Sequence, residues 1–312
     1  MTNHEQREGH GHGQAHGHTH THTHAHACGR RASGVEPDWD ALAAYLEREG
    51  ELHAPAFTQA AGWLRELRGG AAVGRVLDVG SGPGVVAGLL AETFPRADVV
   101  AVDRSAALLE HARTRSSGRV ATQQADLPSD FGLLGAADLI WSSQTVHHLG
   151  DQQAALTALA GSLRPGGLLA VAERGLPLRF LPRDIGLGRP GLQARLDAAH
   201  EDAFSLMRAE LPDTTAVVED WPAMLAKAGL VPAGSRTFLA EWPAPLDPQV
   251  REHLHGHLVR RRDQLTGQLD AEDLATLDEL LDPDAPAGVL ARPDAFFLVA
   301  VTVHTARAGE AS

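Results

Sequence analysis

From Arg75 onward the chain alternates between two hydrophobic rhythms. Short apolar runs, which suit strands buried on both faces, give way to segments whose apolar side chains recur at three- and four-residue spacing, which suits helices packed on a sheet. The runs predict strands at Arg75–Val79, Asp98–Asp103, Arg119–Ala125, Ala137–Ser142 and Gly167–Glu173. The periodic segments predict helices at Val85–Phe94, Ser105–Arg115 and Gln152–Leu163, the first stopped by Pro95 and the last by Arg164-Pro165-Gly166-Gly167. Parallel strands need crossovers of about a dozen residues or more, and this alternation supplies them, so the pattern predicts a doubly wound, mostly parallel α/β sheet.

The flanks read differently. Asp38–Leu67 has apolar residues at helical spacing broken near Gly50 and Pro55, which predicts two or three successive helices forming an N-terminal cap. Beyond Arg174 the sequence turns Gly- and Pro-rich, then helical near Leu192–Glu210 and Ala216–Ala228. Two further strands, about Ala233–Glu241 and Phe296–His304, bracket a polar helical insert from Pro248 to Leu281. Residues 1–34 are low-complexity and His-rich, too poor in apolar side chains to offset the entropy of ordering, so they are expected to be disordered. The organisation expected is therefore a tail (1–34), a cap (35–70), a cofactor-binding core (71–174) and a substrate-side region with the last two strands (175–312).

Composition narrows the function. With 43% hydrophobic and 21% charged residues, the body has ordinary globular usage. No apolar run is long enough to span a bilayer, and the polar N-terminus lacks the apolar centre of a signal peptide, so a cytoplasmic protein without a membrane partner is expected. A single cysteine, Cys28, rules out an internal disulfide. The formal net charge of −13 argues against nucleic acid as partner, because phosphate backbones are bound by basic surfaces. The run Arg260-Arg261-Arg262 on a polar helix reads as a solvated face. The oligomeric state is not legible.

The chemistry begins at Val76–Gly84, VLDVGSGPG, a strand running into a glycine turn and then a helix. Glycines bring backbone amides against a ligand because they lack the Cβ that would block the approach. Gly80, Ser81, Gly82 and Gly84 occupy that turn, and Asp78 puts a carboxylate beside it, suited to a ligand ammonium and repulsive to a pyrophosphate. The dinucleotide fingerprint needs glycine one position later, where this chain has Val85, and no Gly-Lys-Ser or Gly-Lys-Thr follows for a P-loop. The second strand ends in Asp103, about 20 residues beyond the loop, where a carboxylate can accept both ribose hydroxyls of a nucleoside. The third places Asp126 at the same sheet edge.

These motifs, together with ADLIWSSQTVHHL and LRPGGLLAVAE, make Arg75–Glu173 resemble the class I S-adenosylmethionine-dependent methyltransferases, and more loosely the type 11 and trans-aconitate methyltransferase-like proteins. The resemblance implies a Rossmann-like, seven-stranded sheet with an antiparallel last strand, S-adenosylmethionine as cofactor and a small-molecule acceptor methylated on O, N or C. It also implies that Gly80, Gly82 and Gly84 lie beside the methionyl part and that Asp103 holds the ribose. On the same reading Asp126 accepts from the adenine amino group, Arg104 and Leu127 border the adenine, and Ser142–Gln144 line the path to the sulfonium.

Transfer from a sulfonium needs alignment and exclusion of water, and a base only where the acceptor must lose a proton. His147 and His148, after the fourth strand, are the candidate bases; a carboxylate or acidic phenol would need none. Tyr45, with Trp39, His53, Phe57 and Trp63, could close the cap over the site, Glu173 and Arg174 could contact substrate, and Arg179 and Arg183 are further anion anchors. In the tail, His16, His18, His20, His22, His24 and His26 form an alternating array that can gather Zn, Ni or Cu, without a catalytic role. Competing readings are a nicotinamide-dependent oxidoreductase and a non-catalytic nucleoside-binding or metal-buffering protein.

Overall fold

The computed structural model describes residues 39–310; the His-rich tail, with its expected disorder and its candidate metal ligands, lies outside them. The first helix, α1 (Trp39–Leu67), precedes five parallel strands: β1 (Arg75–Val79), β2 (Asp98–Asp103), β3 (Ala121–Gln124), β4 (Ala137–Ser143) and β5 (Leu163–Arg179). Helices α2 (Val85–Thr93), α3 (Ala106–Arg115) and α4 (Gln152–Gly161) are the crossovers. Then come α5 (Leu192–Ala209), α6 (Trp221–Lys227), β6 (Val231–Trp242), α7 (Pro248–Leu265), α8 (Ala271–Leu281) and β7 (Phe297–Arg307). The sheet order is β3-β2-β1-β4-β5-β7-β6, with β7 inserted antiparallel between β5 and β6. This is the expected doubly wound, mostly parallel seven-stranded sheet, with its helical cap and a helical insert before the last strand.

The two faces of the sheet carry separate cores because neighbouring strand residues point opposite ways. Val76, Leu139, Trp141, Leu168, Ala170 and Ala172 pack with the cap and with α2, α5, α7 and α8. Leu77, Val79, Ile140, Leu169 and Val171 pack with α4 and α6 on the other face. No helix among the described residues is long and apolar enough to cross a membrane.

The cap differs from its expectation: α1 is one helix of 29 residues, continuous through Gly50 and Pro55. Proline removes one intrahelical donor and glycine weakens helix propensity, but both penalties are local. Along the same helix Leu52, Ala56, Ala60 and Leu64 are all 3% exposed or less, and burial of that stripe against the sheet outweighs two weak positions. Gly50 also has a packing reason: a Cβ there would lie 2.9 Å from both Cβ and Cγ2 of Val85, the first residue of α2. The glycine lets α1 sit against the start of the helix that follows the glycine loop.

Gly50→Ala is expected to destabilise the protein by about 1–3 kcal/mol through overpacking, despite alanine's ~1 kcal/mol better helix propensity. In a double-mutant cycle followed by urea unfolding, Val85→Ala should recover part of that loss. A stabilised Gly50→Ala protein would mean the contact is not tight.

Candidate active site

Strand order reverses between β1 and β4, since β2 and β3 lie to one side of β1 and β5 to the other. Open α/β sheets bind ligands at such a switch point, outside the C-terminal strand ends. Here the loop after β1 and the turn after β4 flank that crevice. Gly80 has φ +76°, and a Cβ on it would meet Thr145 Oγ1 at 2.0 Å, so the two loops touch at a point only glycine allows. Gly84, also at positive φ, is the N-cap of α2, whereas a Cβ on Gly82 would enter open space.

Asp103, ending β2, ties this loop to the next. Its Oδ2 accepts from Gly82 N and its Oδ1 from Ser105 N, both at 2.9 Å. Each carboxylate oxygen keeps a second acceptor position for a ligand hydroxyl. Burial raises the Asp103 carboxyl, while the backbone N–H donors oppose the rise. Ser81 N and Gly80 N both donate to Val102 O, fixing the loop against the end of the same strand.

Asp78 is 2% exposed. Burial first, and the charge of Asp103 after it, pushes its carboxyl up to about 7, opposed by the backbone N–H of Ala87. Its Oδ2 is shut off from solvent without a hydrogen-bond partner among the described residues. An acidic oxygen in that state is suited to a cationic donor. Ser142, on β4 opposite Val79 of β1, is buried with its Oγ likewise unpartnered among the described residues. Gln144 follows at φ +51°, an uncommon backbone state for a residue with a side chain, and its N–H donates to Ala172 O of β5.

Arg104, Asp126 and Leu127 lie at the outer rim beyond β2 and β3. Arg104 and Asp126 are exposed and Leu127 is half-buried. Gln124 donates through Nε2 to Arg104 O, and Asp126 N donates to Asp130 Oδ2, which holds the two rim segments.

His147 and His148 sit in a 3₁₀ turn, Val146–His148, just after β4. His147 is buried, its Nδ1 2.6 Å from Glu173 Oε2 and its Nε2 3.1 Å from His148 Nε2. Burial pushes the imidazole down to about 4, with Arg174 and then Arg208 adding to the effect against Glu219 and Glu201. Burial likewise pushes Glu173 up to about 8. Both shifts favour a neutral pair, in which the Glu173 carboxylic acid donates to Nδ1 and Nε2–H donates to His148. Sequence pattern suggested Glu173 as a substrate contact; the alternation along β5 instead turns it to the face of Leu169 and Val171, toward His147.

The cap aromatics are distributed along the opposite core. Phe57 meets Trp141 edge-on with ring centres 6.0 Å apart, His53 packs on Phe57 and Phe297, and Trp63 packs on Phe238. Tyr45 stacks on His253 of α7. Arg174 pairs with Glu201 at 2.9 Å and Arg179 pairs with Asp197.

The arginine run differs from its expectation. Arg260 and Arg261 turn inward and Arg262 alone pairs at the surface, with Asp278. The missed signal was periodic: Leu254, Leu258 and Leu265 form a buried stripe, and position 261 falls on it.

The chain matches a family model for a methyltransferase domain over residues 76–167. A trans-aconitate 2-methyltransferase from Methylobacterium nodulans is 34% identical over 227 residues, covering 69% of this chain and 84% of that one. A second, from Methylobacterium radiotolerans, is 33% identical over 56% of this chain and 72% of its own. Among solved structures, the YcgJ protein of Bacillus subtilis aligns with a TM-score of 0.46 and 18% identity, covering 81% of this chain and 99% of that one. With the seven-stranded topology and the glycine loop at its switch point, this relationship places the chain in the class I S-adenosylmethionine-dependent methyltransferase family.

Proposed function

We propose that this methyltransferase acts on a small organic acid and forms a methyl ester at a carboxylate oxygen. The observation that carries the reading is the state of His147. Both its ring nitrogens are engaged and its pKa lies near 4, so it is a poor base for an alcohol or an ammonium. A carboxylate is already ionised at neutral pH and needs no base. Relatives named for trans-aconitate, a tricarboxylate, support the same class of acceptor.

The residues at the switch point fit the methyl donor, given a buried Asp78 oxygen without a partner among the described residues and open space at Gly82. In this reading Asp78 takes the donor's ammonium, Gly80, Ser81, Gly82 and Gly84 its methionyl part, and Asp103 its ribose hydroxyls. Asp126 takes the adenine amino group, Arg104 and Leu127 border the ring, and Ser142 lines the approach to the sulfonium. When bound, S-adenosylmethionine supplies a methyl group that bonds to the carboxylate oxygen while the C–S electron pair stays on sulfur, giving a neutral ester and no proton to remove. His147 and Glu173 hold the turn after β4 in place rather than taking a proton.

Incubation with methyl-labelled donor and a panel of mono-, di- and tricarboxylic acids including trans-aconitate should give label that mild alkali releases, as an ester would. At saturating substrates kcat should stay flat from pH 6 to pH 8, since the acceptor is ionised throughout. Alkali-stable label, or a kcat rising in proportion to hydroxide, would replace this reading with N- or C-methylation or with base catalysis.

Asp103→Ala should weaken S-adenosylhomocysteine binding by about 1–3 kcal/mol, checked by calorimetric titration. Asp78→Asn should weaken it too while making the free protein more stable. A carboxyl raised to about 7 contributes stability that is present below its unfolded pKa and lost as pH rises through 7, so the gain in Tm should be larger at pH 8 than at pH 5. A Tm gain independent of pH would show that Asp78 is not titrating there.

A further inference from the structure

On the cap side of the sheet, α7 turns a row of nitrogen-bearing side chains toward α1 and the exit of β5. His253, His257 and Arg260 lie at helical spacing, with Arg261 on the adjoining stripe. Arg260 Cζ lies 3.1 Å over the centre of the Tyr45 ring, and Tyr45 stacks on His253 with ring centres 4.8 Å apart and planes 7° apart. His257 meets Phe180 edge-on, and Arg261 and His257 border a small recess with Leu178, Phe180, Gln193 and the carboxylate of Asp197.

Two features of this cluster lack an internal explanation. Arg260 Nη2 and Arg261 Nη1 are shut off from solvent without a hydrogen-bond partner among the described residues. Burying a guanidinium donor unpaired is costly, so such groups normally meet a carboxylate or another anion. Of the acids within electrostatic range, Asp197 bonds Arg179 and Glu201 bonds Arg174, while Glu49 faces Arg260 and Tyr45 without bonding Arg260 Nη2. The chain carries a formal charge of −13, so this inward-facing pair of cations is a local exception to an acidic protein.

We propose that Arg260 and Arg261, with Tyr45 packed against Arg260, form an anion subsite that holds a carboxylate of the acid acceptor. The inference rests on the carboxylate-acceptor reading above and adds what that reading left open, namely how an acid is held while one of its carboxylates is methylated. A planar guanidinium fork matches two carboxylate oxygens in a way that a lysine cannot. The subsite therefore selects acids carrying at least one carboxylate beyond the one that receives the methyl group.

The test uses the full chain loaded with S-adenosylhomocysteine and titrated with trans-aconitate and with monocarboxylic acids of similar size, alongside steady-state methylation of each acid. Arg261→Gln and Arg260→Gln should each raise Kd and KM for trans-aconitate about tenfold or more, with smaller effects on monocarboxylates. Arg261→Lys should recover part of the loss, because it restores the charge without the fork. An unchanged affinity for S-adenosylhomocysteine in each variant establishes that it is folded. If both glutamine variants keep trans-aconitate affinity within twofold of the parent, the subsite is wrong while the acceptor reading stands. If trans-aconitate binds through the arginines yet no ester forms, the subsite stands and the acceptor reading falls. If no acid of the panel binds the loaded protein, the subsite is overturned, and the acceptor is decided by the labelling experiment.

Discussion

Asp103 sits where two turns meet, and its two oxygens accept from backbone amides on either side, Gly82 in the glycine loop and Ser105 at the start of α3. A loop of glycines has no side chains to fix its shape, so its conformation is imposed by whatever bonds its amides. Here that is the end of β2: Val102 O accepts from Gly80 and Ser81, and Asp103 accepts from Gly82. Thr145 from the β4 turn packs against Gly80 on the other side. The crevice at the switch point is a rigid consequence of three strand ends held at one level.

The same end of the sheet carries unfavourable burial. Asp78, Glu173 and His147 are ionisable groups held largely away from water, each shifted toward its neutral form, and Asp78 and Ser142 keep polar atoms unpartnered among the described residues. Proteins retain such costs where a ligand supplies the missing partner or where geometry must be fixed. Asp78 has an oxygen left over for a ligand, whereas Glu173 bonds His147 through Oε2 and stiffens the turn that follows β4, its Oε1 also lacking a partner among the described residues.

The acceptor side is built from parts far apart in sequence. Insertion of β7 between β5 and β6 completes the open sheet and places α7 and α8, which precede β7, on the face covered by α1. Asp273 at the start of α8 accepts from both Arg189 and Arg195, fixing this pair of helices to α5. One face therefore holds both the cap and the inward arginines, while the His147–Glu173 pair lies on the other.

What the sequence determined by itself is local. Strand and helix positions follow from apolar period, and the glycine turn with acids at three successive strand ends points to a nucleoside-bearing donor, because spacing along one βα unit translates directly into position at one sheet edge. Tertiary structure decided everything that depends on distant partners. α1 runs unbroken through Gly50 and Pro55 because a buried stripe outweighs local propensity. Glu173 turns to His147, 26 residues away, through the pleat of β5. Arg260 and Arg261 leave the solvated face that three consecutive arginines suggest, because the orientation of α7 is set by its leucines packing on the sheet, and where those leucines go the arginines between them must follow.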